Sequence, residues 1–207
     1  MTVPELSSIY INQVVTKLGL SDAPVYINIG RIADSQFNEC FNNVAQMVER
    51  EGGERILGWQ LWENTFMIEA EMHAIWRTPE NEYFDVTPKS IATPHIVFLA
   101  DARLLLDGYQ NDNVRINKTG NGLVDDYIRL AEARFFLMNK GDKAGKTGKI
   151  SFVGRDAQNW QAINEIMGAL EGMLQQGMSK NSPCFCRSGE RYKRCHGFNL
   201  AFNLSRI

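Results

Sequence analysis

The side chains best able to act as nucleophile, base or soft metal ligand are few: four cysteines and three histidines in 207 residues. Their spacing sorts most of them into two sets. Cys184, Cys186, Cys195 and His196 form a Cys-x-Cys pair followed, eight residues on, by an adjacent Cys-His pair. Two such pairs supply the three thiolates and one imidazole of a closed tetrahedral site, the donor set of structural zinc. Ser188-Gly189 offers the turn that folds one pair onto the other, and Gly197 follows them. So short a segment has little core of its own, so the metal would supply most of its folding free energy.

The second set is Cys40, His73 and Asp85. Around His73 the even positions Phe66, Ile68, Ala70, Met72, Ala74 and Trp76 form one apolar face, and Glu69, Glu71 and His73 lie on the other. Further on, Phe84 and Val86 alternate with Tyr83, Asp85 and Thr87. A hairpin that matches the apolar faces pairs residues whose numbers add to an even total. A total of 158 sets His73 opposite Asp85, and 160 makes them diagonal neighbours; both bring carboxylate and imidazole within reach. A thiol nucleophile needs that pair: the imidazole takes its proton and the acid fixes the tautomer.

Other readings of these residues stay open. Phe37, Cys40, Phe41 and Val44 share one helical stripe, which would make Cys40 an inert core thiol. His73 could form a structural hydrogen bond with Asp85 or Glu71. Glu69, Glu71 and His73 could hold a second metal from one strand face. Trp59 and Trp62 could line a groove or pack in the core.

Positioning these groups requires an α+β chain. A helix is expected over about 5–18, then an extended Val25–Ile29 run, then a helix capped by Asp34 or Asn38 and stopped by Gly52-Gly53. The period then falls to two, giving strands Ile56–Glu63, Phe66–Arg77, Glu82–Thr87 and His95–Ala100. The Asn- and Gly-rich segment 107–122 reads as a loop, with helices Leu123–Asn139 and Asp156–Gln176 after it. The last helix carries Trp160, Ile163, Met167, Leu170 and Leu174 on one stripe. Gly141 to Thr147 resembles a phosphate loop but has three residues between its glycines where four are needed, so it reads as surface. The expected organisation is a main domain over 1–176, a small antiparallel sheet packed with helices, and a linker with zinc module over 177–207.

Hydrophobic residues make up 44% of the chain, enough for a sizeable core. The net charge of −2 argues against specific DNA binding. The charge is uneven, however: after residue 178 six cations (Lys180, Arg187, Arg191, Lys193, Arg194 and Arg206) face the single acid Glu190. A basic knob of this kind suits a protein partner with an acidic surface, or phosphates. The first residues have neither a basic stretch nor a continuous apolar run, and no segment is apolar for the length of a membrane helix. A cytoplasmic location and no membrane contact are therefore expected.

The tail, from Cys184 through Tyr192-Lys193 to His196-Gly197, closely resembles the SEC-C motif, the zinc-binding tail of the SecA preprotein-translocase motor. That resemblance implies zinc on Cys184, Cys186, Cys195 and His196, and a partner such as a chaperone or the ribosome. Separately, the order helix-Cys40, strand-His73, next-strand-Asp85, with the words His73-Ala74-Ile75-Trp76 and Asp85-Val86-Thr87-Pro88, resembles transglutaminase-like members of the papain-like cysteine enzymes. It implies a papain/transglutaminase-like fold and a thiol hydrolase or transferase acting on amide or thioester bonds. The alternative is a non-enzymatic zinc-dependent adaptor with a structural Cys40.

Overall fold

The structure, a computed structural model, describes residues 1–30, 34–108, 110–145 and 150–207. Lys146 and Thr147 of the phosphate-loop near-match lie outside the described residues. The chain divides into two units, one of residues 1–106 and 113–116, the other of 107–112 and 117–207. In this division the two long C-terminal helices group with the Cys/His tail.

The first unit contains helix α1 (Ile9–Leu18), strand β1 (Val25–Ile29), helix α2 (Cys40–Glu51) and strands β2 (Glu54–Glu63), β3 (Met67–Arg77), β4 (Tyr83–Asp85) and β5 (His95–Ala100). Strand β6 (Val114–Asn117) begins in it as well. The strand order is β2-β5-β1-β4-β3-β6, and β2 also pairs with β3, so five strands close into a small barrel. The sheet is mixed rather than purely antiparallel, because β1 runs parallel to β4. Strand β6 falls in the segment expected to be loop. Its few residues are too short for alternation to register, and it adds to the edge of β3.

Barrel closure changes what the alternating faces mean. The even face of β3 is covered by helices: Ile68 and Ala70 pack with Ile11 and Val14 of α1, and Ala74 and Trp76 with Cys40, Val44 and Met47 of α2. The odd face, which reads as polar in sequence, lines the barrel interior at His73 and Ile75, while Glu71 on the same face stays exposed. There Ile75 packs with Ile27, Ile96 and Phe98. His73 and Asp85 share that parity and are buried, as is Gln60. Gly58, paired with both His73 and Ala100, has no room for a side chain: a Cβ would strike the Leu99 carbonyl and the Phe98 ring.

Helix α2 begins without the expected cap. Asp34 and Asn38 both have left-handed φ, and Glu39 precedes the helix with no side-chain cap. Asn43 does the anchoring instead. Its amide oxygen accepts from the Gln36 N–H (2.9 Å) and its Nδ2 donates to the Gln36 carbonyl (2.8 Å). Phe37 is exposed, so the buried stripe starts at Cys40. At the other end the helix stops at Gly52 and Gly53, both with positive φ, as the sequence expects.

The second unit holds α3 (Gly122–Met138), α4 (Gly154–Gln175) and the short α5 (Leu200–Leu204). The Asn121 side chain caps α3 by accepting from the Leu123 N–H (3.1 Å). Ile163, Met167, Leu170 and Leu174 of the expected stripe are buried, while Trp160 stacks on Phe152 at 4.4 Å.

Candidate functional sites

In the second unit the tail folds as two turns. Cys184 N–H donates to the Glu190 carbonyl (2.8 Å) and Arg187 N–H to the Cys184 carbonyl (3.1 Å), closing a tiny hairpin with Arg187 and Gly189 at positive φ. Cys195 and Gly197 donate to the Tyr192 carbonyl (3.0 and 2.9 Å). A Cβ at Gly197 would collide with the Tyr192 ring. These turns bring one ligand atom from each of Cys184, Cys186, Cys195 and His196 within 4.8 Å of one another.

The individual spacings fit one metal ion. Cys184 Sγ to His196 Nδ1 is 3.2 Å, Cys195 Sγ to the same nitrogen 3.4 Å, and Cys186 Sγ to Cys195 Sγ 3.5 Å. A tetrahedron with metal–ligand bonds of about 2.0–2.3 Å has edges of about 3.3–3.8 Å. The imidazole lies against Phe185, ring centroids 4.4 Å apart, and turns Nδ1 toward Cys184 and Cys195. Hydrogen bonds from the hydroxyl and amide of Ser188 bring the Cys186 thiol down to about 6, favouring the thiolate a metal requires.

The site is braced from α3. Asp126, buried, pairs with Lys180 (2.9 Å) and Arg129 (2.8 Å), and the fully buried Tyr192 lies against it. Burial and the Asp126 charge push the Tyr192 phenol up, so it stays protonated as a donor. Lys180 is thus an internal partner rather than part of a solvent knob. Arg187, Arg191, Lys193 and Arg194 are exposed, and none forms an ion pair among the described residues.

In the first unit, Cys40, His73 and Asp85 come together. Cys40 is the first residue of α2, His73 sits mid-strand on β3, and Asp85 ends β4. The observed β3–β4 register pairs Trp76 with Phe84 and Arg77 with Tyr83, the total of 160, so His73 and Asp85 are diagonal neighbours. His73 Nε2 lies 3.1 Å from Asp85 Oδ1, and the buried Cys40 thiol is near enough to the imidazole to raise its proton affinity. Thr87 N–H also donates to Asp85 Oδ1 (3.0 Å), and the Asn43 amide reaches the Thr87 hydroxyl (3.2 Å), tying α2 to the acid.

Burial by itself pulls the His73 proton affinity down. The hydrogen bonds to Asp85 and Cys40, with their charges, overcome it and raise the imidazole to about 9. Burial would likewise push the Asp85 carboxyl up, but the His73 hydrogen bond and the charges of His73 and Lys89 hold it below its ordinary range.

Lys89 and Gln60 complete this cluster without having been singled out in sequence. Lys89 Nζ contacts Asp85 Oδ2 (2.6 Å), Gln60 Oε1 (2.9 Å) and His73 Nε2 (3.5 Å), and its side chain is 6% exposed. Gln60 carried a signal, an amide at a position whose strand parity matches the apolar, half-buried Ile56. Lys89 follows Pro88 in irregular chain and carried none.

The structure decides two alternatives that the sequence left open. Glu69 pairs with Arg115 (2.8 Å) and accepts from Asn113 (2.7 Å), while Glu71 accepts from Trp62 (3.0 Å). The second metal site on Glu69, Glu71 and His73 is therefore not formed; the Cys/His cluster is the one metal-competent group among the described residues. Trp59 is buried and donates to Asp101 (3.1 Å), so it packs rather than lining a groove.

Among known proteins, the SEC-C motif family matches residues 181–198. No curated protein and no solved structure gives a significant match to the chain. The chain is thus a mixed α+β barrel unit together with a helical unit that carries a SEC-C motif and its Cys3His cluster. No helix among the described residues is long and apolar enough to cross a membrane.

Proposed function

We propose that this protein is a thiol hydrolase or transferase for amide or thioester bonds, of papain/transglutaminase-like design, with a SEC-C module that binds one zinc ion and docks the protein to a partner. The observation that supports the enzymatic reading is the buried His73–Asp85 hydrogen bond with Cys40, at the start of one helix, buried and close enough to raise the imidazole's proton affinity. A helix start, a mid-strand position and a strand end converging on one imidazole is the geometry a nucleophilic thiol needs.

In the reaction, the Cys40 proton passes to His73 and the sulfur forms a C–S bond to the carbonyl carbon. The Cys40 amide, among the first-turn N–H groups with no intrahelical acceptor, faces the oxyanion. The intermediate collapses by breaking the C–N or C–S bond of the substrate, and His73 gives the proton to the departing amine or thiol. Water, deprotonated by His73, then attacks the thioester, releasing the acid and restoring the thiol; an amine in place of water makes the reaction a transfer. Asp85 holds the ring throughout.

An activated ester such as p-nitrophenyl acetate tests this directly. One acetyl group per chain should map to Cys40, and His73→Gln should abolish it. Acetylation spread over lysines, and unchanged in the variant, contradicts the enzymatic reading.

At the tail, the Cys3His donor set and its spacings support zinc, which when bound supplies the cross-link that holds the two turns together. The four exposed cations support a protein partner with an acidic surface; the SEC-C resemblance suggests a chaperone or the ribosome. A second reading, a zinc-dependent adaptor with a structural Cys40, is favoured by one observation: the Lys89 ammonium closes the buried network on Asp85.

A further inference from the structure

Lys89 is a buried cation that the three-residue mechanism does not use. An ammonium with a side chain 6% exposed is costly unless paired, and this one is paired with atoms of the reacting cluster. Asp85 Oδ2 takes it at 2.6 Å while Oδ1 is left to His73 and the Thr87 amide. Gln60, fixed in β2, takes a second Lys89 proton through Oε1 at 2.9 Å. That contact sets the Gln60 amide orientation, since a flipped NH2 would present donor to donor. The ammonium is thereby held 3.5 Å from His73 Nε2.

We propose that Lys89 is the positioning residue of the thiol site: it locks the Asp85 carboxylate by one oxygen so the other faces His73, and its charge makes the imidazolium readier to release its proton. The role matters because His73 must both hold the thiol's proton and surrender it to the leaving group, which works best when its proton affinity is near the working pH. Asp85 and Cys40 both pull that affinity up. Lys89 is the opposing charge, and among the described residues no other cation contacts the ring: α2 contributes Cys40, β4 and the segment after it Asp85 and Lys89, and β2 the neutral Gln60. This inference deepens the enzymatic reading and rests on it for its purpose, though the electrostatic coupling is measurable without catalysis.

The experiment is an NMR titration of the His73 ring in the full-length, zinc-loaded protein, where only three histidines must be assigned. Lys89→Gln keeps a donor for Asp85 and removes the charge, whereas Lys89→Arg keeps the charge. The His73 midpoint should rise by about one pH unit or more in Lys89→Gln, the sign expected when a like charge leaves, and stay near wild type in Lys89→Arg. Should Lys89→Gln not fold, Lys89→Met, which retains the stem packing, gives the same reading. A folded charge-free variant whose His73 midpoint does not move overturns the proposal, whatever happens to its stability. Iodoacetamide labelling of Cys40 in the same samples separates the two levels. A shifted His73 beside an inert wild-type Cys40 sustains the coupling and sinks the enzymatic reading; a reactive Cys40 with an unshifted His73 does the reverse.

Discussion

The chain uses its cysteines in two contrasting ways. In the tail, three thiols and an imidazole from thirteen consecutive residues are gathered by turns, with Cys186 exposed. In the barrel, one thiol meets an imidazole and a carboxylate that are 33 and 45 residues away in sequence, all three buried. The first cluster is gathered by two short turns braced by buried Tyr192, and its donor set could hold a metal ion. The second is held by a core whose strands and helices would be there without it. The difference teaches that the same donor chemistry can be fixed either by a metal or by a fold, and that each should fail in its own way.

Removing a tail ligand should have the largest effect. Structural zinc sites carry apparent binding free energies of about 10 kcal/mol or more, and that binding is folding energy. Cys186→Ser should take bound zinc from one ion per chain to none, measured by metal analysis. Because Tyr192, Lys180 and Asp126 join the tail to α3, the second unit should lose helical signal or melt earlier as well. Retained zinc in this variant would show that Cys186 is no ligand.

In the barrel, Asp85→Ala should cost about 3–5 kcal/mol in denaturant unfolding, since it strands the Lys89 ammonium and His73 in the interior. A loss below about 1 kcal/mol would mean that the network is hydrated and loose.

The tail was legible because its ligands are close in sequence, so spacing alone fixes the geometry. The barrel site was half legible. Strand parity gave the His73–Asp85 meeting and limited the register to two totals, of which 160 is observed. Parity could not reveal closure, which depends on pairings such as Leu61 with Val97 that no local pattern encodes. For that reason the interior face was read as polar, and Lys89 and Gln60 went unnoticed. The α2 cap was missed for a similar reason: Asn43 anchors the helix from inside its first turn, where local rules look only at the residues before it.

A pH series contrasts the sites more gently. His73, at about 9 in the folded protein against 6.5 when free, contributes stability that is complete below about pH 6.5 and is lost as the pH rises toward 9. Asp85, held below its ordinary 3.8, contributes above that value and loses its contribution as the pH falls beneath it. The stability of the barrel should therefore fall by about 2–3 kcal/mol between about pH 6 and 9.5. His73→Gln should flatten that slope, and a slope unchanged by the variant would assign it elsewhere.

The smallest effect on stability belongs to the exposed cations. Arg191→Glu with Arg194→Glu should alter unfolding by less than about 0.5 kcal/mol and leave zinc bound, because both side chains lie in solvent without ion pairs. Association with an acidic partner should nevertheless be lost, and in the wild type it should weaken steeply with salt. Association that survives both the double substitution and high salt would put the docking surface elsewhere.

The central claim is that Cys40 is a working thiol rather than a core one. Site-resolved iodoacetamide labelling of the folded, zinc-loaded protein tests it most directly, with the tail thiols shielded by metal. Labelling at Cys40 should proceed at a measurable rate in the native state and fall at least about tenfold in His73→Gln, because the imidazole that takes the thiol's proton is gone. Cys40 that labels only on unfolding, with or without His73, would contradict the account and leave a structural thiol in its place.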